Sequence, residues 1–260
     1  MSENPLHASD LVNQRILITG SSRGIGAQLA KYVAAAGAKV AINYRSKAPR
    51  AEKIAAEITE AGGEAITVGA DVTDPVAVSS MMTAIREAFG GLDILVLNAS
   101  GGMEADMGEG YAMKLNRDAQ VGLAMAAKAL MAHGGRIVFV TSHQAHFIHD
   151  VETLPEYTPV ALSKRAGEDA LRAMIDDFEA AGIEFVVVSG DMIEGTVTAT
   201  LLNRMRPGAL DERKEAAGKL YNVEEFAAEI ARAIVDPIPL NNTRLVGDTS
   251  WFSQNAHSPE

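Results

Sequence analysis

The first chemistry the chain offers is a phosphate cradle. In Thr19-Gly20-Ser21-Ser22-Arg23-Gly24-Ile25-Gly26 the glycines at 20, 24 and 26 let a chain turn tightly and bring bare N–H groups against a pyrophosphate. A helix that opens there aims its N-terminus at the anion. Gly20, Ser22, Arg23, Gly24, Ile25 and Gly26 are therefore candidate dinucleotide ligands, although an ordinary tight turn could read the same way. Some twenty residues on, Asn43-Tyr44-Arg45-Ser46-Lys47 carries no acid to hold a ribose 2′-hydroxyl. Arg45, Ser46 and Arg23 suit a 2′-phosphate instead, which favours NADP(H) over NAD(H). The plainer reading is that Arg45 and Lys47 solvate a loop. Asp71, in Ala70-Asp71-Val72, could accept from an adenine amino group, while Asp74 before Pro75 reads as a helix cap.

Those residues need strands to deliver them. Seven short β-branched runs read as strands: 15–19, 39–43, 64–69, 93–97, 136–141, 184–189 and 243–246. Between them, apolar residues recur at helical spacing, as in Ile25, Leu29, Val33 and in Val78, Met82, Ile85, Phe89. This alternation predicts a doubly wound α/β (Rossmann) fold of three layers around a seven-stranded parallel sheet. Gly37, Gly62, Gly63, Gly90 and Gly91 follow helices, where left-handed caps are expected. A length of 260 residues suits one domain spanning 1–260.

Composition narrows the partners. Thirty-four acidic against 23 basic residues give a net charge of −11, which disfavours nucleic acid. The absence of cysteine removes disulfides, thiolate metal sites and cysteine nucleophiles. The sequence Met1 to Asp10 has no apolar core, and no run of about 18 apolar residues occurs, so neither secretion nor membrane spanning is expected. A cytoplasmic location fits best. Two segments exceed a bare βαβ repeat: the Gly/Met/Glu loop 101–110, and the stretch 191–221, which is expected to form a mobile substrate lid. The tail 250–260 is expected to be loosely ordered.

The short motifs TGSSRGIG (19–26), ADVTD (70–74), LNAS (97–100), LN (115–116), VTS (140–142) and SK (163–164), in that order, resemble the short-chain dehydrogenase/reductase family over nearly the whole chain. The resemblance implies a nicotinamide cofactor across the strand ends, held by the glycine turn with Asp71, Val72, Asn98 and Ala99. It also implies homo-oligomers, dimers or tetramers, through the two long middle helices. Asn98 would steady the central strand, and Asn116 would hold a proton-relay water. Ser142 would bind the substrate carbonyl and Lys164 the nicotinamide ribose. Gly190 and Thr196 would match the segment after the sixth strand, with Ser189 where proline is usual and one residue apparently inserted.

The departure lies at the chemical centre. The family places a tyrosine four residues before the lysine, and here that position is Val160, which has no proton to give. The interval from Ser142 to Lys164 is also long. Tyr157 lies seven residues before Lys164, about 10 Å along a helix axis, and is either a donor curling in from the loop or a rim aromatic. His143 and His146 follow the fifth strand and titrate near neutrality, so either could donate a proton or orient substrate. With His149 their spacing also permits a metal reading, but nothing in the chemistry requires a metal and none is expected. The third source of the proton is the substrate itself, for example a phenol beside the ketone, as in tyrosine-lacking family members that reduce aromatic polyketides. Met103, Met107, Met113, Met192 and Met205 would suit a broad aromatic ligand, or simply fill gaps.

The leading reading is thus an NADP(H)-dependent ketoreductase acting on a bulky, aromatic, polyketide-like carbonyl compound with an altered proton path. The rival is a binding module that senses NADP(H) and has lost turnover. Retention of Ser142, Asn116 and Lys164 favours the enzyme, and Val160 favours the sensor.

Overall fold

The computed structural model describes residues 4–103, 108 and 110–255. It runs β1 (Arg15–Ile18), α1 (Gly24–Ala35), β2 (Lys39–Tyr44), α2 (Ala48–Glu60), β3 (Glu64–Gly69), α3 (Pro75–Phe89) and β4 (Leu92–Leu97). There follow α4 (Tyr111–Met113), a π-helical turn (Lys114–Asp118), α5 (Ala119–Lys128), β5 (Met131–Ser142), α6 (His143–His146), α7 (Thr158–Arg172) and α8 (Ile175–Ala180). The chain continues through β6 (Glu184–Gly190), α9 (Val197–Met205), α10 (Ala209–Ala217), α11 (Val223–Val235), β7 (Thr243–Val246) and α12 (Ser250–Gln254).

Among the described residues the sheet has seven strands, all parallel, in the order β3-β2-β1-β4-β5-β6-β7. Strands covered on both faces must be apolar on both, and their alternate side chains divide the core into two layers. Ile16, Ile18, Val40, Ile42, Val186 and Val188 pack with Leu29 and Val33 of α1 and Ile230 and Ile234 of α11. Leu17, Leu95, Leu97, Ile137, Phe139 and Val187 point the other way, toward Met82 and Ile85 of α3 and Leu123 of α5. The order reverses between β1 and β4, so their carboxyl ends diverge and leave a crevice.

Several expectations need correction. β5 begins at Met131, five residues earlier than its β-branched run. Met131 pairs with Leu92, and the register then shifts so that Arg136 pairs with Ile94. The intervening bulge contains Gly134 at φ +95°, a feature that a hydrophobic pattern does not display. Gly37, Gly62 and Gly90 adopt the left-handed cap conformation, but Gly63 and Gly91 do not. Those two are small for another reason: a Cβ on Gly63 would stand 2.8 Å from Ile58, and one on Gly91 2.5 Å from the Arg15 guanidinium. The stretch 191–221, expected as a lid, contains two helices, α9 and α10. In the tail, α12 is ordered by burial of Phe252, which stacks on Phe147 at 5.1 Å between ring centres. Residues 256–260 of the tail, and Met107 in the 101–110 loop, lie outside the described residues.

Candidate active site

The turn after β1 is held in shape from both sides. Asn43, at the end of β2, accepts from Gly20 N at 3.1 Å through its side chain and from Ser21 N at 2.9 Å through its backbone. Ser21 Oγ donates to Ile18 O at 2.7 Å. On the other side, Asn98 Nδ2 donates to Thr19 O at 2.8 Å, and Thr19 Oγ1 accepts from both Asn98 N and Ala99 N at 3.0 Å. Gly20 stands at φ +63°, and a Cβ there would lie 3.1 Å from Ala99 Cα; one on Gly26 would lie 2.7 Å from Asn98 Nδ2. α1 then starts at Gly24 with no side chain capping its first turn. Uncapped N–H groups at a helix start are the donors an anion takes up. Ser22 and Arg23 border the outer side of the turn with Lys31, Arg50 and Lys53. Asn43, the residue that sets the turn, carries no motif of its own and was not singled out by the sequence.

Around the adenosine end the assignments divide. Asp71 Oδ1 is occupied by Thr73, accepting from its N at 2.9 Å and its Oγ1 at 2.8 Å, so the carboxylate shapes the loop after β3. Val72 is buried in the adjoining core layer. Asp74 caps α3 by accepting from Val76 N, as expected. Arg45 and Ser46 are exposed beyond β2, and Arg45 Nη1 donates to the Tyr111 hydroxyl at 2.6 Å.

The crevice itself is lined by Ile25 and Asn98 from the cofactor side, Thr141 and Ser142 from β5, Tyr157 and Lys164, and Asp191, Met192, Ile193 and Thr196 after β6. Ser142 and Tyr157 are in contact, Oγ to phenol oxygen 3.3 Å. Tyr157 reaches this place because it precedes α7, whose first turn is fixed by Pro159, and because it is buried with Ala145, Val160, Met192 and Leu202. Lys164 faces the same crevice and makes no ion pair among the described residues. Thr141 Oγ1, buried on the crevice wall, has no partner among the described residues. An orphaned hydroxyl, a free ammonium and uncapped amides along one crevice fit a dinucleotide, whose nicotinamide end would supply hydride.

Asn116 lies in the π-helical turn, buried, and its Nδ2 donates to Gly101 O at 2.8 Å and to Ser163 Oγ at 2.9 Å. It thereby ties the 101 loop to α7 beside Lys164. Gly167 permits that approach, since a Cβ there would overlap the Asn116 carbonyl. Val160 is packed behind the crevice: a Cβ on Gly102 would come within 3.3 Å of Val160 Cγ2 and 2.6 Å of Ala112 Cβ.

The histidines stand outside this constellation. His143 is fully buried, with Nδ1 2.8 Å from Ser189 Oγ and Nε2 3.1 Å from Val246 O. Burial pushes its pKa down to about 4, leaving a neutral ring that braces β6 and β7. His146 Nδ1 lies 2.8 Å from Glu168, a buried carboxylate that also takes Arg172 at 2.9 Å. Burial raises the Glu168 pKa, and these two partners more than offset it, holding the group below the usual range. His149 is exposed and 3.5 Å from Asp169. Among the described residues no three His, Asp or Glu side chains are grouped to hold a metal.

Gly190 and Thr196 have structural duties. A Cβ on Gly190 would lie 2.4 Å from the Phe226 ring. Thr196 caps α9, accepting from Ala199 N at 3.2 Å, with its backbone at the crevice edge.

Past Gln144 and Met192, which it shares with the crevice, a second hollow of about 500 Å³ continues among Val151, Leu154, Pro155, Ala209, Trp251 and Phe252. Arg213 of α10 forms its hinge: the guanidinium bonds Asp191 at 2.8 Å and lies 5.0 Å from the Phe252 ring centre. Neither this pair nor the aromatic wall was apparent from sequence.

Comparison with known proteins decides the family. The short chain dehydrogenase family model matches residues 14–206. The chain belongs to the short-chain dehydrogenase family. Among related members, 1-cyclohexenylcarbonyl-CoA reductase of Streptomyces collinus is 37% identical over 232 residues, covering 85% of this chain and 80% of its own. A short-chain dehydrogenase from Burkholderia cenocepacia J2315 in complex with NADP is similar in structure, with TM-score 0.74 and 31% identity over 91% of this chain and 96% of that one. The angucycline C-6 ketoreductase LanV with bound NADP shows TM-score 0.72 and 25% identity, over 89% and 92%. No described helix is long and apolar enough to cross a membrane.

Proposed function

We propose that this short-chain dehydrogenase is an NADPH-dependent ketoreductase of a bulky aromatic polyketide, with substrate-assisted protonation. The observation that carries the reading is the convergence of Ser142, Tyr157 and Lys164 on a crevice that opens into a hollow walled by Val151, Leu154, Trp251 and Phe252, with the charged Glu152, Glu212 and Arg213 also in its lining. Such a hollow accommodates fused rings beyond the reacting carbonyl. The NADP complexes of the two similar structures and the angucycline substrate in the name of one support the cofactor and the substrate class.

When bound, the reduced nicotinamide supplies hydride to the carbonyl carbon. Ser142 donates a hydrogen bond to the carbonyl oxygen as negative charge gathers there, with Tyr157 fixing the serine rotamer. Lys164 holds the ribose and supplies positive potential, and Asn116 keeps the loop at Gly101 and α7 in register. The proton comes from a hydroxyl of the substrate adjacent to its ketone. One feature supports that source: His143 and His146 are both committed to partners elsewhere and neither lines the crevice.

α9 and α10 form the lid, pinned by Arg213 to Asp191 at the crevice mouth. Exposed Met125 on α5 and Leu162 on α7 support homo-oligomerisation through these two helices.

The test is cofactor oxidation with NADPH and with NADH on a panel of aromatic polyketide ketones. Substrate-dependent oxidation preferring NADPH is expected. Tight NADPH binding without turnover on any ketone would instead identify a cofactor sensor.

A further inference from the structure

Arg45 is assigned to a 2′-phosphate by its charge and position, yet an exposed arginine on a flexible stem is poorly placed to select anything. Ordering its side chain costs rotamer entropy. The structure shows how Arg45 is already ordered. Its Nη1 donates to the phenol oxygen of Tyr111, 2.6 Å away and 66 residues along the chain. Tyr111 is itself half-buried against the α3 and α5 core layer, so the acceptor is anchored. The bond therefore joins the end of β2 to the start of α4 across the adenosine side of the fold.

The chemistry of the acceptor matters. A guanidinium has five N–H donors, and a neutral phenol takes one of them without neutralising the charge. A carboxylate in the same place would hold the arginine equally well but would compete with a phosphate for it. Among the described residues, no carboxylate pairs with Arg45 or with Arg23. The bond takes only Nη1 and leaves the remaining guanidinium donors for a phosphate, which such a fork can bind bidentately.

We propose that Tyr111 is a positioning residue for cofactor selection: it holds Arg45 in place for the 2′-phosphate and so sets the preference for NADP(H) over NAD(H). The proposal rests on the NADP(H) reading above. It concerns a residue that lies in no glycine motif and contributes no charge.

Titration calorimetry of the full chain with NADPH and with NADH separates the two. In Tyr111→Phe, which keeps the anchoring ring, NADPH should bind about five- to ten-fold more weakly while NADH changes by less than two-fold. In the Arg45→Ala background, adding Tyr111→Phe should change neither affinity. A merely structural role would weaken both cofactors together and shift the thermal midpoint, and that result overturns the proposal. Unchanged NADPH affinity in Tyr111→Phe overturns it as well. Should the unaltered chain bind the two cofactors equally, it is the NADP(H) assignment that fails. A preference that survives Tyr111→Phe refutes only the role of Tyr111.

Discussion

The phenol oxygen of Tyr157 stands 3.3 Å from Ser142 Oγ, although the two are separated by a short helix and a loop and the tyrosine is three residues earlier than the family pattern expects. The contact gives the serine a second hydroxyl at the point where a carbonyl oxygen would be bound. In the substrate-assisted reading its part is to orient the serine, and the proton comes from the substrate.

Tyr157→Phe should accordingly keep reduction within about five-fold, the loss of one neutral hydrogen bond. Steady-state rates with a hydroxylated aromatic ketone check this. A fall of 100-fold or more would make the phenol the proton donor. Ser142→Ala, which removes the bond to the developing oxyanion, should lose about 100-fold in kcat.

Val160 is buried with its Cγ2 beside Gly102, so a tyrosine there must displace its neighbours. Val160→Tyr is expected to lower the thermal midpoint, with an overpacking cost of about 1–3 kcal/mol, and to gain no turnover on simple ketones. Calorimetric melting and a rate assay on unactivated ketones decide it; a gain in rate would show that the ring finds the crevice after all.

His143 is held neutral, with its pKa lowered to about 4 from 6.5 by burial. Between those values the unfolded chain binds the proton and the folded chain does not, so stability falls as the pH drops through that window. The contribution lost is up to about 3 kcal/mol below the lower value. Denaturant unfolding across the window should show a shallower pH slope in His143→Gln than in the unaltered chain. Equal slopes would mean that His143 titrates normally in the fold.

Trp251 and Phe252 close the hollow beyond Gln144 and Met192. Trp251→Ala should raise KM about ten-fold for four-ring substrates and leave two-ring ketones nearly unaffected, since only the larger ligand reaches the wall. Equal effects on both would remove α12 from the substrate site.

What could be read from the sequence followed from local rules. The β-branched runs, the glycine turn and the Asp74 cap are each specified by residues within a few positions of one another, and all are found. Ser142 and Lys164 were legible as a spaced pair in a family pattern. The residues that complete the site depend on distant pairing and carry no local signature: Asn43 under the glycine turn, Tyr111 against Arg45, and Arg213 against Asp191. The histidines illustrate the opposite case. A cluster after a strand end looks like chemistry, yet His143 is consumed by Ser189 and Val246, and His146 by Glu168, through contacts made far along the chain.

The most direct test of the account compares an aromatic polyketide ketone bearing a hydroxyl beside the carbonyl with its methyl ether, following NADPH oxidation under single-turnover conditions. The account predicts reduction of the hydroxyl compound and at least about 100-fold slower reduction of the ether, which keeps the shape but has no proton to give. Equal rates for the two, or no oxidation of NADPH with either, would contradict it.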